Sequence, residues 1–265
     1  MRVIAFDFDG VLCDSSREVF VVAVDTLTEQ EPSSGLLELL KPLRDEALAG
    51  GDGFRAHELY IRFSDLLPLG NRAEDFGVAL KAIEDSRSIA DQTAYDSFFA
   101  EIPASWRDRF HRRFYETRDR LRGSNAQRWM ALHLPYRELV EGLDRHRGTF
   151  LPAVATAKDT RSVRVLLSEL GLEDVFDPHL ILDKETGVEK TVHLRELQRR
   201  TGMSFDHITF IDDKLNHLET VAALGVRGVL AGWGFNTERE HTEARRLGFE
   251  VAQLDNLDQT LFKGE

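Results

Sequence analysis

The sequence has little of what marks secreted or membrane-spanning proteins. It contains one cysteine, Cys13, so an internal disulfide cannot form, which is typical of a reducing compartment. The apolar start of the chain meets Asp7 too early for a signal peptide, and no later run is long enough for a transmembrane helix. These absences predict a cytoplasmic protein with no membrane partner.

The sequence is also short of positive charge. Its formal net charge is -12, and the acidic residues are spread along the chain, so the overall field would repel a nucleic-acid backbone. Nucleic acid is therefore not an expected partner. A small anion can still bind, because nearby amides, a lysine and a metal ion outweigh distant negative charge over a few ångströms.

Short apolar runs alternate with amphipathic helical stretches near both ends of the chain. The predicted strands are residues 2–7, 150–156, 207–212 and 226–231, with a weaker one at 179–182. Between them, apolar residues at helical spacing end at Gly171 and again at Gly225, as helices commonly do. This alternation predicts an α/β fold with a doubly wound, Rossmann-like parallel sheet as its core.

The middle of the chain has a different pattern. Between residues 15 and 146 there is no alternation typical of strands, and stretches rich in Phe, Leu, Arg and Glu predict helices. One of these helices contains Phe110 and Phe114. We therefore expect residues 1–14 and 147–265 to form the α/β core, and residues 15–146 to form a helical domain inserted after the first strand.

Two aspartates follow the first predicted strand. In an extended chain residues two apart face the same side, so the carboxylates of Asp7 and Asp9 can point into one site. Open α/β sheets bind ligands beyond the carboxyl ends of their strands, which is where these residues lie. Gly10 permits a tight departure of the chain and a close approach of its backbone to a ligand. Taken alone, the pair would be better explained as a solvated loop or a helix cap.

A hydroxyl and a lysine follow later predicted strands. Thr156 and Ala157 end the second apolar run and precede a helix, where a hydroxyl and free amides can bind an anion. Taken alone, Thr156 is better explained as a helix N-cap or an ST-turn. Lys190 lies just before a helix, from which an ammonium could reach an anion at the sheet edge. Lys184 is a competitor, but flexible residues still follow it, so we rank Lys190 first.

Two further acids, Asp212 and Asp213, end the apolar run that forms the strand at 207–212. Mg²⁺ is typically held by one or two carboxylates together with waters and substrate phosphate. One of these acids could cap a helix, but two adjacent acids at a strand end repel each other unless a cation compensates. The pair therefore predicts a Mg²⁺ site.

Taken in order, these elements resemble the four motifs of the haloacid dehalogenase superfamily. Asp7 and Asp9 match the first motif, Thr156 the second, Lys190 the third, and Asp212 with Asp213 the fourth. Between residue 150 and Gly234 the sequence is similar to the phosphoglycolate phosphatase-like branch. The resemblance implies that the helical insertion is a mobile cap over the active site. Two positions depart from the pattern: no proline follows Lys190, and His217 stands where many relatives carry a second acid.

The resemblance implies a Mg²⁺-dependent phosphomonoester phosphatase that acts on a small phosphorylated metabolite. Asp7 would attack phosphorus and form a phosphoaspartate, while Asp9 would first protonate the leaving oxygen and then activate water. The groups expected to hold the phosphate and offset its charge are Gly10, Thr156, Ala157 and Lys190. The expected metal ligands are the Asp7 side chain, the Asp9 backbone carbonyl and Asp213, with Asp212 in support.

Two other functions stay open at this point. A phosphomutase of the same superfamily needs the same aspartates but returns the phosphoryl group to a sugar rather than to water. A non-catalytic protein that binds a phosphorylated metabolite would keep the fold, although a decayed site should have lost at least one of Asp7, Asp9, Lys190 or Asp213. A dehalogenase is less favoured, because carbon–halogen displacement has no use for a general acid or a metal. The oligomeric state is not indicated.

Overall fold

The computed structural model describes residues 2–70 and 72–263. The chain divides into two compact units: the first contains the residues up to Asp14 and from Leu134 onwards, and the second contains Ser15–His133. The chain leaves the first unit after Asp14, where the sequence predicts it. It returns at Leu134, earlier than the predicted residue 147.

Strands lie in the first unit, and helices occur in both units. The strands, in chain order, are β1 (Val3–Phe6), β2 (Cys13–Asp14), β3 (Leu134–Pro135), β4 (Leu151–Ala155), β5 (Ile181–Leu182), β6 (Ile208–Asp212), β7 (Arg227–Ala231) and β8 (Glu250–Ala252). The α-helices are α1 (Ser16–Gln30), α2 (Leu37–Leu48), α3 (Glu58–Leu66), α4 (Ala73–Glu84), α5 (Gln92–Glu101), α6 (Ala104–Ser124), α7 (Ala126–Met130), α8 (Arg137–Arg145), α9 (Thr160–Glu169), α10 (Lys190–Thr201), α11 (Leu215–Ala222) and α12 (Glu238–Arg246). Across the described part of the chain, no helix combines the length and apolarity that a membrane span requires.

A parallel sheet forms the centre of the first unit, with the strand order β5-β4-β1-β6-β7-β8. Phe6 at the end of β1 is level with Val154 of β4 on one side and with Ile211 of β6 on the other. The chain therefore winds outward from β1 in both directions, and the carboxyl ends of these three strands meet at one edge, where such sheets bind ligands. The predicted α/β fold with a doubly wound parallel sheet is confirmed.

The central strands coincide with the apolar runs because they are buried on both faces. Each predicted strand is present within two residues of its expected bounds, and every residue of β1 and β6 is buried. Leu194 and Leu197 of α10 and Leu218 of α11 pack against the sheet and are fully buried. Strand β8 was not predicted, since it is short and only its last residue, Ala252, is buried.

The sequence predicted that residues 134–146 belong to the insertion, but they belong to the first unit. Two interactions explain this difference. Strand β3 pairs antiparallel with β2, so the outgoing and returning chains run side by side. Helix α8 then packs on the C-terminal segment: Leu139 and Leu143 are buried, and a Cβ on Gly142 would lie 2.6 Å from the ring of Phe262. The hydrophobic pattern of the sequence did not predict β3, because this strand has two residues and both are exposed.

The second unit contains α1 to α7 and, among its described residues, no strand, as predicted for the insertion. Aromatic side chains fill its core: Phe20 stacks on Phe54 with ring centroids 5.8 Å apart, and Phe110 is fully buried. The core also holds an ion pair. Glu18 of α1 is 0% exposed and accepts two hydrogen bonds of 2.7 Å from the guanidinium of Arg118 in α6.

Candidate active site

Asp7 lies at the carboxyl end of β1 and is almost completely buried. Its backbone N–H donates to Ile211 O at 2.9 Å, which extends the pairing of β1 with β6 to this residue. Its side-chain Oδ1 accepts a hydrogen bond of 2.7 Å from the N–H of Phe8. Burial raises the pKa of Asp7, and so does the charge of Asp212, whereas Lys190 lowers it. The sheet thus holds a carboxylate in fixed orientation at its central edge.

Lys190 is the first residue of α10, and its buried ammonium joins two of the predicted acids. Its Nζ lies 2.7 Å from Asp7 Oδ1 and 3.2 Å from Asp212 Oδ2, and it donates to Ala155 O at 2.8 Å. Burial alone would lower the pKa of Lys190, but the charges of Asp212 and Asp7 outweigh it and raise the pKa. The ammonium therefore stays charged. The competitor, Lys184, is exposed on the loop after β5.

Asp212 ends β6 and is fully buried, with partners on both carboxylate oxygens. Oδ1 accepts from the N–H of Lys214 at 2.9 Å, and Oδ2 faces Lys190 and lies 3.0 Å from Nδ1 of His217 in α11. Burial favours the neutral acid, but His217, Lys190 and these hydrogen bonds outweigh it and hold the pKa of Asp212 well below its usual range. The structure thus brings His217, whose role the sequence left open, directly onto a motif acid.

Asp213 is buried in a narrow space between two glycines. A Cβ on Gly10 would lie 2.3 Å from Asp213 Oδ2, and a Cβ on Gly234 would lie 2.3 Å from Asp213 Cβ. Oδ2 also accepts a hydrogen bond of 2.7 Å from the N–H of Phe235. Burial, together with the charges of Asp212 and Asp7, raises the pKa of Asp213 to about 8 against the opposing charge of Lys214. Gly10 was predicted as a phosphate contact. Because it has no Cβ, it also lets Asp213 approach the loop that follows β1.

Asp9 lies two residues after Asp7 and is the more exposed of the two. Its side chain is 32% exposed, and its oxygens lie 2.8 and 3.1 Å from Nζ of Lys158, whose own side chain is 3% exposed. Lys158 lies in the segment of the second motif, but no role for it was predicted. Thr156, in the same segment, is buried and accepts a hydrogen bond of 3.2 Å from the N–H of Lys158 through Oγ1.

Of the two explanations for Thr156 taken alone, the N-cap is wrong and the ST-turn is confirmed. Helix α9 is capped by Asp159, whose Oδ1 accepts from the N–H of Ser162 at 3.0 Å. The Thr156 hydroxyl instead closes a turn at the end of β4, beside the exposed Ala157. The loop after β4 is therefore folded by its own hydroxyl before the helix begins.

The arrangement fits a divalent cation. One donor atom from each of Asp7, Asp212 and His217 lies within 4.8 Å of the other two. Asp213 and Asp9, which the sequence also assigned to the metal, lie outside this group. Burial, and after it the negative charges of Asp212 and Asp7, raises the pKa of Asp213, and a hard cation with oxygen preference would favour its ionised form.

Structures of other proteins share this fold. A protein from Lactobacillus delbrueckii subsp. bulgaricus, provisionally named phosphoglycolate phosphatase, matches with a TM-score of 0.70, 15% identity and 100% coverage of both chains. A Haemophilus somnus protein with the same provisional name matches with a TM-score of 0.61, 16% identity and coverage of 97% of this chain and 96% of that one. A haloacid dehalogenase-like hydrolase from Streptococcus pneumoniae matches with a TM-score of 0.62, 14% identity and coverage of 96% and 93%. At these identities the likeness shows the fold alone.

Comparison at the level of sequence gives the family. No curated protein matches the chain. Residues 1–225 match the family model for haloacid dehalogenase-like hydrolases. This match spans most of the chain and contains every motif residue described above. The resemblance drawn from the motifs is confirmed: the chain belongs to the haloacid dehalogenase-like hydrolase family.

Proposed function

We propose that this chain is a phosphomonoester phosphatase that uses Mg²⁺ and forms a phosphoaspartate at Asp7. The observation that carries the proposal is the contact of 2.7 Å between the buried ammonium of Lys190 and Asp7 Oδ1 at the end of β1. Such a pair suits a phosphoryl group, because the ammonium offsets the repulsion between two anions. The provisional phosphatase names of two similar structures support phosphoester chemistry.

Asp7 is the proposed nucleophile. Its contacts from Phe8 and Lys190 both fall on Oδ1, so we assign the attack to Oδ2. A bond forms between Oδ2 and phosphorus while the bond from phosphorus to the leaving oxygen breaks. Water then displaces the carboxylate from phosphorus, which releases phosphate and restores Asp7. The two displacements balance as one hydrolysis.

Asp9 is the proposed acid and base. It gives its proton to the leaving oxygen in the first displacement and takes one from water in the second. The leaving oxygen and the water both come from outside the protein, so Asp9 must be reachable from solvent. The 32% exposure of its side chain supports this role.

Four groups are proposed to hold the phosphate. Lys190 supplies charge, Thr156 supplies a hydroxyl at the end of β4, and Ala157 supplies its backbone N–H. The N–H of Gly10 donates to Cys13 O, so the part of Gly10 is to let the backbone come close to the phosphate. The four groups come from two strand ends and from the start of α10, so no single loop fixes their spacing.

Mg²⁺ would be held by the Asp7 side chain, the Asp9 backbone carbonyl and Asp213, with Asp212 in support, and would neutralise charge on the phosphoryl oxygens. We favour Asp213 over Asp212 as the direct ligand because both oxygens of Asp212 already have partners. The cluster of Asp7, Asp212 and His217 would instead favour Asp212 as a direct ligand. An imidazole hydrogen-bonded to a carboxylate suits the orientation of that carboxylate better than the binding of a hard cation.

The remaining features of the proposal concern the substrate. We propose a small phosphorylated metabolite of the cytoplasm as substrate, because local positive groups can bind a small anion despite the net charge of -12. We propose also that the helical unit Ser15–His133 acts as the cap that selects the leaving group.

The test is phosphate release from an aryl phosphate by the full chain. We expect Mg²⁺-dependent release that EDTA abolishes and that Asp7→Asn abolishes, while the exposed control Asp174→Asn keeps it. Borohydride reduces an aspartyl phosphate to homoserine, so mass spectrometry of the reduced, reacting enzyme should find homoserine at position 7. Undiminished release by Asp7→Asn would exclude the covalent mechanism. Isomerisation of a hexose phosphate without phosphate release would replace the phosphatase by a mutase.

A further inference from the structure

Lys158 is a buried cation whose described counter-ion is the proposed acid and base. Its ammonium contacts both oxygens of Asp9, at 2.8 and 3.1 Å, and its side chain is 3% exposed. A buried charge is costly unless it is paired and hydrogen-bonded, and removing its partner is strongly unfavourable. The pair therefore has an energetic reason to persist whenever Asp9 is a carboxylate, which is its proposed state between the two displacements.

The protein fixes the lysine side of this pair. The N–H of Lys158 donates to Thr156 Oγ1 at 3.2 Å, and its carbonyl accepts from the N–H of Lys184 at 3.1 Å. The ammonium also lies 5.7 Å from the centroid of the Phe8 ring. These contacts tie the backbone of Lys158 to Thr156 in its own loop and to the loop after β5, and its ammonium to the loop after β1.

The aspartate side of the pair is the more exposed of the two. The side chain of Asp9 is 32% exposed, and the residue lies in the tight turn in which Gly10 N–H donates to Cys13 O at 2.8 Å. A partly exposed carboxylate samples several rotamers in solvent. An ammonium that contacts both of its oxygens selects one orientation of the carboxylate group.

We propose that Lys158 is a positioning residue that holds the Asp9 carboxyl group where it can exchange a proton with the leaving oxygen. The inference rests on the proposed phosphatase function. Proton transfer needs the acid within hydrogen-bond reach of its partner, and a misplacement of about 1 Å costs on the order of 10²-fold in rate. The proton moves from the Asp9 carboxyl to the leaving oxygen as its bond to phosphorus breaks.

The discriminating measurement compares leaving groups. An alkyl phosphate needs a proton on its leaving oxygen, whereas a nitrophenyl phosphate needs it far less. In Lys158→Met we expect kcat/KM for the alkyl phosphate to fall about 10-fold or more beyond the fall for the nitrophenyl phosphate. Lys158→Arg should recover most of the loss. Lys184→Met, which removes the same charge from the neighbouring exposed loop, should leave both values unchanged.

Two further variants separate positioning from other roles. Once Asp9→Asn has removed the acid, adding Lys158→Met should no longer distinguish the two substrates. Equal losses for both substrates would mean that Lys158 only binds the phosphate, and no loss would mean that it has no part in the reaction. Either result overturns the proposal.

The contact itself can be tested without activity. In urea unfolding, the double variant Asp9→Asn/Lys158→Met should have a higher midpoint than the summed shifts of the single variants predict. Each single variant removes one charge of the pair and leaves the opposite charge uncompensated, whereas the double variant removes both. Additive shifts would contradict the pair. A wild-type protein that hydrolyses neither substrate with Mg²⁺ present would remove the proposed function, and the positioning role with it. An active wild type with equal losses removes only the positioning role.

Discussion

His193 in α10 should make the fold sensitive to acid. It is fully buried, and Nε2 lies 2.8 Å from Gly187 O and 3.2 Å from Asp183 O, so Nε2 carries the hydrogen and Nδ1 does not. Among the described residues, Nδ1 has no hydrogen-bond partner. Burial, reinforced by the charge of Lys190, lowers the pKa of His193 to about 4. The folded chain therefore keeps this imidazole neutral where an unfolded chain would protonate it.

The size and direction of the effect follow from linkage. The unfolded chain protonates His193 near pH 6.5 and the folded chain near pH 4, so between these values the unfolded state binds more protons and stability falls as pH falls. The pKa of His193 falls from 6.5 in the unfolded chain to about 4 in the folded chain, which corresponds to about 3 kcal/mol of stability over the whole interval. By pH 5 the loss of stability amounts to about 2 kcal/mol. The contribution is fully present at neutral pH and lost below pH 4.

Urea unfolding at pH 7.5 and at pH 5 measures this effect against a matched variant. His193→Gln keeps an N–H that can donate to the two carbonyls but does not titrate. Carboxylates elsewhere in the chain change the stability of both proteins by the same amount. Between pH 7.5 and pH 5, the free energy of unfolding of the wild type should therefore fall by about 2 kcal/mol more than that of the variant. Parallel losses in the two proteins would refute the assignment of a neutral, buried His193.

Three other changes test the second unit and the metal site. Arg118→Met should destabilise the fold by about 3 to 5 kcal/mol in urea unfolding, because it leaves Glu18 charged and buried; a loss below about 1 kcal/mol would contradict that burial. Gly10→Ala should weaken Mg²⁺ binding in calorimetry, because its Cβ would lie 2.3 Å from Asp213 Oδ2 and its φ of +80° is unfavourable for alanine; unchanged affinity would mean that the loop yields freely. Asp213→Asn should weaken Mg²⁺ binding more than Asp212→Asn, and the reverse order would exchange the direct and supporting ligands.

Much of the fold and of the site could be predicted from the sequence because both depend on local pattern. The run from Val3 to Phe6 is buried throughout, and a run of that kind is suited only to the centre of a sheet. The acids that follow it are carried to the sheet edge by the strand itself. Lys190 was ranked above Lys184 for its place at a helix start, and the structure brings Lys190 to Asp7 at 2.7 Å.

Other features had no local signal. Strand β3 has two exposed residues, and its partner β2 lies more than a hundred residues earlier, so the return of the chain at Leu134 could not be read from periodicity. Lys158 and Asp9, which are in contact, lie 149 positions apart in the sequence. The two glycines that enclose Asp213, Gly10 and Gly234, are likewise distant in the sequence. Each depends on which strand ends become neighbours.

The sequence by itself determined the types of element, the order of the motif residues and their place at the ends of strands, because burial patterns and strand geometry act over a few residues. Only the tertiary structure decided the partners: Lys190 shared between Asp7 and Asp212, His217 on Asp212, and Lys158 on Asp9. Those pairings follow from the strand order, in which β1 lies between β4 and β6. Strand order is set by packing of the whole sheet, and no stretch of sequence contains it.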